Sequence, residues 1–317
     1  MNALVSAVIG TYHRPGLVQR AIRSALNQTY LNLEVVVVVD GPEPETVRIL
    51  QALNEPRLRI VGLPENIGIA GARNVGVREA KGEWVAFLDD DDEWLSQKIE
   101  TQLANLAEFD PHTNFIVCRA AEADTGIQKV FPREFPRVDE DWSEYIFCRG
   151  GLLLPSTYLV KKSLMLTFPF TKGITGYEDF DWLLRVRHSR ALVSKWIDQA
   201  LVIYHNQSND ATRLSTGSDW CDYYQWARGN CGTLLTPKAF SYCLMTQGLP
   251  RIRRSGGAVY RSAVLLCRAI FLGRIDFRFC LLFFGFSLLD IPTRSRLRIL
   301  YDRLNWKAKA TQTRGPR

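Results

Sequence analysis

Apolar positions change their spacing repeatedly along the amino-terminal part of the chain, and each change marks an element. Leu4, Val5, Ala7, Val8 and Ile9 form a short strand-like run closed by the turn sequence Gly10-Thr11-Tyr12-His13-Arg14-Pro15. Leu17, Val18, Ala21, Ile22, Ala25 and Leu26 then recur at helical spacing, predicting an amphipathic helix that stops near residues 27–29. Residues 35–39 are all valine, too apolar for a strand with one wet face, and so predict a buried parallel strand. After Asp40-Gly41-Pro42 the pattern gives a helix over 45–53, a strand over 58–62, a helix rich in small residues over 70–80, and an apolar strand over 84–88.

Strand and helix thus alternate three times. Such alternation predicts an α/β fold with a mostly parallel sheet, right-handed crossovers and a ligand crevice at the carboxyl ends of the strands. Thr11, Asp40 and the acidic run Asp89-Asp90-Asp91-Asp92 all fall at such ends, so one crevice can collect them. Further on the pattern weakens. Strands are expected over 115–118, 152–161 and 192–204, the last followed by His205, with a flexible loop at 173–176. A helix begins in the segment Tyr177–Leu184, with Glu178 and Asp179 in its first turn, where carboxylates are favoured.

Charge divides the chain. The net formal charge is +7, yet fifteen Lys and Arg against three acids lie from Arg251 onward, leaving the preceding residues at −5. The basicity belongs to a tail. Its arginines alternate with apolar clusters, Ala263-Val264-Leu265-Leu266 and residues 279–289, which suits a helical region lying on an anionic membrane surface rather than a nucleic-acid groove. The alternative is a helical subdomain packed on the core. The eleven residues of 279–289 fall short of the roughly 20 needed to span a bilayer. Seven cysteines without regular spacing, and no secretory apolar core at the amino terminus, point to reduced thiols in the cytoplasm.

Four adjacent aspartates at a strand end carry the chemistry. Carboxylates packed together repel one another and raise one another's pKa unless a cation is shared among them, and oxygen donors of this kind suit a hard divalent ion. The ordinary alternative is a solvated acidic turn.

Six segments, taken together, resemble an inverting family 2 glycosyltransferase of the GT-A fold. They are Val8-Ile9-Gly10-Thr11-Tyr12-His13-Arg14-Pro15; Asn27-Gln28-Thr29-Tyr30; Val38-Val39-Asp40-Gly41; Asn66-Ile67-Gly68 with Ala72-Arg73-Asn74; Phe87-Leu88-Asp89-Asp90-Asp91-Asp92-Glu93-Trp94; and Glu178-Asp179-Phe180-Asp181. The resemblance covers residues 3–207 and implies a GT-A catalytic domain over 1–215, a Rossmann-like, mostly parallel sheet flanked by helices, followed by a basic helical region over 216–317. It implies a nucleotide-sugar pocket of Thr11, Tyr12, Arg14, Asp40, Arg73, Asn74, Asp89 and Asp90, with Asp90 at the variable position of the acidic pattern. It implies Mg2+ or Mn2+ on Asp91 and Asp92, with His205 matching a histidine that in some relatives touches the metal or diphosphate. Asp179 matches the general base, and Glu178 and Asp181 are assigned to the acceptor or its loop.

Each assignment has a structural alternative: Thr11 as a helix cap, Arg73 as a surface arginine, the acidic pair as a favoured helix start, His205 as a structural histidine. Gly10, His13 and Val39 depart from the residues many relatives carry. The implied activity is transfer of a sugar, with inversion, from a nucleoside diphosphate sugar, a UDP-sugar being the expected donor, to a saccharide or lipid-linked hydroxyl acceptor. The setting is cell-surface polysaccharide, lipopolysaccharide or glycolipid synthesis at the inner face of the membrane. The competing readings are a noncatalytic nucleotide-sugar-binding protein and a metal-dependent phosphohydrolase.

Overall fold

A computed structural model describes residues 3–104, 110–123, 129–205, 220–244 and Thr246. One nine-stranded sheet organises them. Strand β1 (Val5–Thr11) lies between β2 (Leu33–Val39) and β4 (Trp84–Asp89), with β3 (Leu58–Gly62) beyond β2, and all four run parallel. Helices α1 (Pro15–Leu26), α2 (Pro44–Gln51) and α3 (Gly68–Glu79) make the crossovers. The register pairs Thr11 with Val39 and Gly10 with Asp89, so the carboxyl ends of the three strands stand side by side.

Past β4 the sheet changes polarity. β8 (Tyr158–Lys161) is antiparallel to β4, β6 (Phe115–Glu122) is antiparallel to β8, and β9 (Ser194–Tyr204) is parallel to β6. The two-residue β5 (Glu93–Trp94) closes that edge against β9, and β7 (Val130–Phe131) pairs with β6. Folding β5 back onto β9 brings the residues after the acidic run beside His205.

Both faces of the sheet are covered, which explains the unbroken valines of β2. On one face Val35, Val37 and Val39 join Ile9 and the α1 residues Val18, Ala21, Ile22 and Ala25. On the other, Val8, Val36 and Phe87 meet Ala70 and Val77 of α3 and Trp182, Leu183 and Val186 of α7 (Glu178–His188). That second layer also takes in α5 (Trp142–Cys148), α8 (Trp220–Gly229) and α9 (Pro237–Cys243), through residues such as Tyr145, Tyr223, Ala227 and Phe240. The helices that follow β9 therefore share the core of the sheet. The basic segment from Arg251 onward lies outside the described residues, and among those described no helix is long and apolar enough to cross a membrane.

Two local differences from the sequence pattern have clear causes. Only Tyr158–Lys161 of the apolar stretch 152–161 is strand, because Pro155 opens a 3-10 turn, Pro155–Thr157, before it. Helix α5 forms where the pattern predicts nothing, because Asp141 caps it by accepting from the backbone N–H groups of Ser143 and Glu144 at 2.9 and 3.1 Å. The short α4 (Lys98–Leu103) and α6 (Lys162–Thr167) carry too few residues for a period to show.

Helix α3 lies unusually close to the sheet. A Cβ at Gly76 would run into a methyl of Val8 in β1 and reach 3.4 Å from Val38 in β2. Gly76→Ala thus sets two effects against each other: about 0.5–1 kcal/mol gained from helix propensity and roughly 1–3 kcal/mol lost to overpacking. We predict net destabilisation in urea unfolding; a variant as stable as the parent or more so would show that α3 can lift off the sheet without cost.

Candidate active site

Asp89 is the last residue of β4, and the turn after it closes through the Asp92 N–H donating to the Asp89 carbonyl at 3.1 Å. Burial then alternates. Asp89 and Asp91 are partly exposed, whereas Asp90 and Asp92 are only 7% and 1% exposed. Asp90 accepts from the Thr11 hydroxyl at 2.8 Å and from Arg14 Nη1 at 3.1 Å, joining the ends of β1 and β4. Asp92 accepts from the Ser156 hydroxyl at 2.6 Å and the His205 N–H at 3.3 Å; the Ser156 oxygen in turn accepts from the Asp89 N–H at 3.1 Å.

Burial pushes the Asp90 carboxyl up to about 7, with the Asp91 charge adding to it and Arg14 and Thr11 opposing. Asp92 is raised well above the ordinary carboxylate range by burial and then by the charges of Asp89 and Asp91. The strand end therefore concentrates more negative charge than its partners neutralise.

Arg73, 4% exposed on α3, reaches across the sheet end. Its Nη2 donates to Asp89 at 2.5 Å, its Nη1 to Glu178 at 2.9 Å, and the guanidinium lies 5.5 Å from the centre of the Phe170 ring. Burial opposes its charge, but the adjacent Asp89 and Glu178 carboxylates more than offset this and hold its pKa above the usual arginine value. The other Glu178 oxygen accepts from the Gly176 N–H at 2.8 Å. Asn74, next along, uses its whole amide on the backbone of Phe170, donating at 2.8 Å and accepting at 2.9 Å. Arg73, Asp89 and Glu178 are brought together; Asn74 faces the Phe170 backbone instead.

Asp179 is the second residue of α7, beside this bridge. It is partly exposed, and one oxygen accepts from the Phe180 N–H at 2.8 Å. Burial pushes its carboxyl up to about 7, the Glu178 charge adds to the shift, and Arg73 opposes it. Asp181, one turn-step on, is enclosed at 3% exposed and accepts from Thr171, Arg185 and Trp226.

The remaining strand end carries Asp40. Its carboxylate accepts from the Ile67 N–H at 2.8 Å and its carbonyl from the Asn66 amide at 3.1 Å, clamping the end of β2 to the start of α3. Burial raises its pKa, while the N–H groups of Ile67 and Gly68 oppose the shift. Tyr12, 39% exposed, lies against Gly41, the next residue, its ring centroid 4.1 Å from that of His13.

The three departures from the family pattern have local reasons. A Cβ at Gly10 would fall 2.8 Å from the Ile69 side chain; His13 has φ +54°, a conformation in which histidine, like asparagine, is enriched; and Val39 is fully buried in the apolar layer. Asp40 is thus the carboxylate at the end of β2.

Three participants have no role assigned by the sequence pattern. Ser156 comes from the unexpected 3-10 turn. Glu93 meets His205 Nε2 at 2.8 Å, and Arg20 donates to the Asp91 carbonyl at 2.5 Å while its Nε lies 3.4 Å from Glu93. Glu93 adjoins the acidic run and was visible there; Ser156 and Arg20 lack a motif that would single them out.

Comparison with known proteins bears on the family and the fold. Residues 6–157 match the family model described as glycosyl transferase family 2. A UDP-Glc:alpha-D-GlcNAc-diphosphoundecaprenol beta-1,3-glucosyltransferase of Escherichia coli is 36% identical over 100 residues, 32% of this chain and 40% of that protein. The match thus spans well under two thirds of that relative. A GalNAc(5)-diNAcBac-PP-undecaprenol beta-1,3-glucosyltransferase of Campylobacter jejuni is 29% identical over 218 residues, 68% of this chain and 69% of the other. Among solved structures, S. aureus TarS 1-349 in complex with UDP-GlcNAc superposes with a TM-score of 0.59 at 17% identity, covering 86% of this chain and 74% of that one. Mannosyltransferase PcManGT from Pyrobaculum calidifontis, in complex with GDP-Man and Mn2+, gives a TM-score of 0.53 at 17% identity over 98% of this chain and 83% of that one. Residues 6–157, which carry the parallel strands and the acidic strand end, thus match glycosyltransferase family 2, and the described residues have a GT-A-like fold.

Proposed function

We propose that the protein transfers a sugar, with inversion at the anomeric carbon, from a nucleoside diphosphate sugar to a hydroxyl acceptor. A UDP-sugar is the donor and a saccharide or lipid-linked saccharide of a cell-surface polysaccharide, lipopolysaccharide or glycolipid is the acceptor. The observation that carries this reading is the pairing of Asp179 with the acidic strand end. Asp179 is partly exposed and raised to about 7, and the Arg73 bridge from Glu178 ties its helix to Asp89. Relatives named for lipid-linked diphosphate acceptors, and a neighbour crystallised with UDP-GlcNAc, support the choice of donor and acceptor.

In this mechanism Tyr12 and Asp40 receive the nucleoside, while Thr11 and Arg14 fix the strand ends around Asp90. Asp89 faces the donor ribose and is oriented by Arg73. Asp179 takes the acceptor's proton as its oxygen attacks the anomeric carbon from the side opposite the diphosphate, and the bond to the diphosphate breaks.

Mg2+ or Mn2+ fits the donor set, because the partly exposed Asp89 and Asp91 offer oxygen next to two buried carboxylates, Asp90 repelled by Asp91 and Asp92 by both. Among the described residues no three His, Cys, Asp or Glu side chains make a ready-built metal site. One or two carboxylates would suffice to hold such an ion beside the substrate phosphates. Asp91 would hold it; Asp92 and His205 would join by exchanging their bonds to Ser156 and Glu93. When bound, the ion offsets the charge that builds on the leaving diphosphate. The basic segment from Arg251 onward would hold the enzyme peripherally at the cytoplasmic membrane face.

Asp179→Asn keeps size and most hydrogen bonding but not basicity. Transfer should fall by roughly 10² to 10⁴, the usual contribution of a general base, with the donor dissociation constant from calorimetry unchanged. Near-parent transfer by this variant would remove Asp179 from the role. The raised pKa also fixes a sign. Asp179 is protonated and inactive as a base below about pH 7, so the parent rate should climb through that region and the climb should be missing in Asp179→Asn. For stability the sign is opposite, since a fold that disfavours the ionised form loses stability as pH rises through the folded pKa. At about pH 8 the Asn variant should melt above the parent.

For the cation, Asp91→Ala should abolish stimulation by Mn2+ while leaving the melting temperature near that of the parent, because Asp91 lies at the partly exposed side of the turn. Full activity of this variant in chelator would refute the assignment.

A further inference from the structure

Asp181 was expected at the acceptor or its loop, yet its carboxylate is enclosed and used on all sides. One oxygen accepts from the Thr171 hydroxyl at 2.7 Å and from Arg185 Nε at 2.8 Å; the other accepts from the indole Nε1 of Trp226 at 2.9 Å. These donors come from three places: the segment that enters the loop before α7, α7 itself one turn later, and α8. The loop between Thr171 and α7 is fastened at its far end too, by the Gly176 N–H on Glu178. Between those ends it turns at Gly173 and Gly176, both at positive φ, +80° and +78°.

The indole is held in turn. Trp226 lies 5.1 Å from Tyr177 and 5.7 Å from Tyr223 by ring centroids, and Tyr223 is fully buried. Helix α9, next to α8, is fixed to α5 by Thr236 on Glu144 at 3.1 Å and Lys238 on Glu144 at 2.7 Å. A rigid path thus runs from the core through α8 to a carboxylate two residues after Asp179. The family model ends at residue 157, so this anchor lies wholly outside the matched segment.

We propose that Asp181 is a positioning residue for the transfer. By gathering Thr171, Arg185 and Trp226 it fixes the first turn of α7 against α8 and the preceding loop, and so sets the direction in which Asp179 meets the acceptor hydroxyl. The inference rests on Asp179 acting as the base. A buried carboxylate with three donors on two oxygens is geometrically over-determined, which suits a group that must hold a neighbour within a fraction of an ångström. The direct partners of Asp181 are neutral except Arg185, so charge balance alone does not require Thr171 or Trp226; their contribution is direction.

The test uses the full chain and removes single donors while keeping shape, because Asp181→Asn could fail to fold. Thr171→Val deletes the hydroxyl, Thr171→Ser restores it, and Trp226→Phe deletes the indole N–H while keeping a ring beside Tyr177. The expected result is a loss of kcat in Thr171→Val/Trp226→Phe of ten- to about a hundredfold, the scale of a misplacement near one ångström. Donor binding by calorimetry should be unchanged, the rise in rate through about pH 7 retained, and the Thr171→Ser single variant should work at near-parent rate. Parent-like kcat in the double variant, or equal loss of donor binding and kcat, would overturn the proposal. Asp179→Asn run alongside separates the two readings. If it is slow while the double variant is not, the anchor alone is refuted; if it transfers at the parent rate, the base assignment falls and the anchor with it.

Discussion

The site depends on one buried cation. Arg73 has little access to water to stabilise its charge, so its position is set by the carboxylates it meets, Asp89 at the end of β4 and Glu178 at the start of α7. These residues lie far apart in the chain. The sheet supplies the first position through the pairing of Gly10 with Asp89, and the packing of α7 on the opposite layer supplies the second. A buried ion pair is often a poor source of net stability, because desolvation consumes most of the attraction, whereas breaking one by removal of a single partner is costly. Its value here is placement. With two acids on one guanidinium, the helix of Asp179 cannot drift from the strand end without leaving a charge unpaired in the interior.

The acidic run shows the same logic on a smaller scale. Four aspartates in a row would be equivalent in a solvated turn, but here the chain continues from strand into turn, and their burial alternates. Asp90 and Asp92 turn inward, where Thr11, Arg14, Ser156 and the His205 N–H receive them. Asp89 and Asp91 remain accessible. The pattern thus separates two enclosed carboxylates from two that stay partly exposed, a distinction that four identical letters cannot convey.

Much of this was legible beforehand, for physical reasons that vary by element. The valines of β2 and the helical spacing of α1 are long enough for burial to impose a period, and both elements form where the pattern puts them. The strand ends that collect Thr11, Asp40 and the aspartates follow from parallel topology. Helix α5 was missed because its apolar face, Trp142, Tyr145, Ile146 and Phe147, is only two turns long and meets partners distant in sequence. Ser156 was hidden in an apolar stretch that reads as strand, since nothing local tells that Pro155 opens a turn there. Asn74 and Asp181 illustrate the limit from the other side. Their motif was visible, but which atoms their side chains would meet depended on Phe170 and Trp226, whose approach is decided by packing rather than by neighbours in the chain.

Charge balance gives the last constraint on any mechanism. Around the strand end stand Asp89, Asp90, Asp91, Asp92, Glu93, Glu178 and Asp179, against the arginines 14, 20 and 73, each already in contact with those acids. Burial and neighbouring acids raise Asp90, Asp92 and Asp179 above the ordinary carboxylate range, so full ionisation of the site is opposed. A diphosphate entering such a site adds negative charge where it is least tolerated. Under the proposed transfer, donor entry is therefore coupled to uptake of positive charge. Protons are the poorer source, because the same protonation that would ease donor binding would silence Asp179 as a base. A divalent ion held by Asp91 would supply that charge at the strand end and leave Asp179 free to ionise, so the proposed metal and the proposed base would answer a single electrostatic requirement.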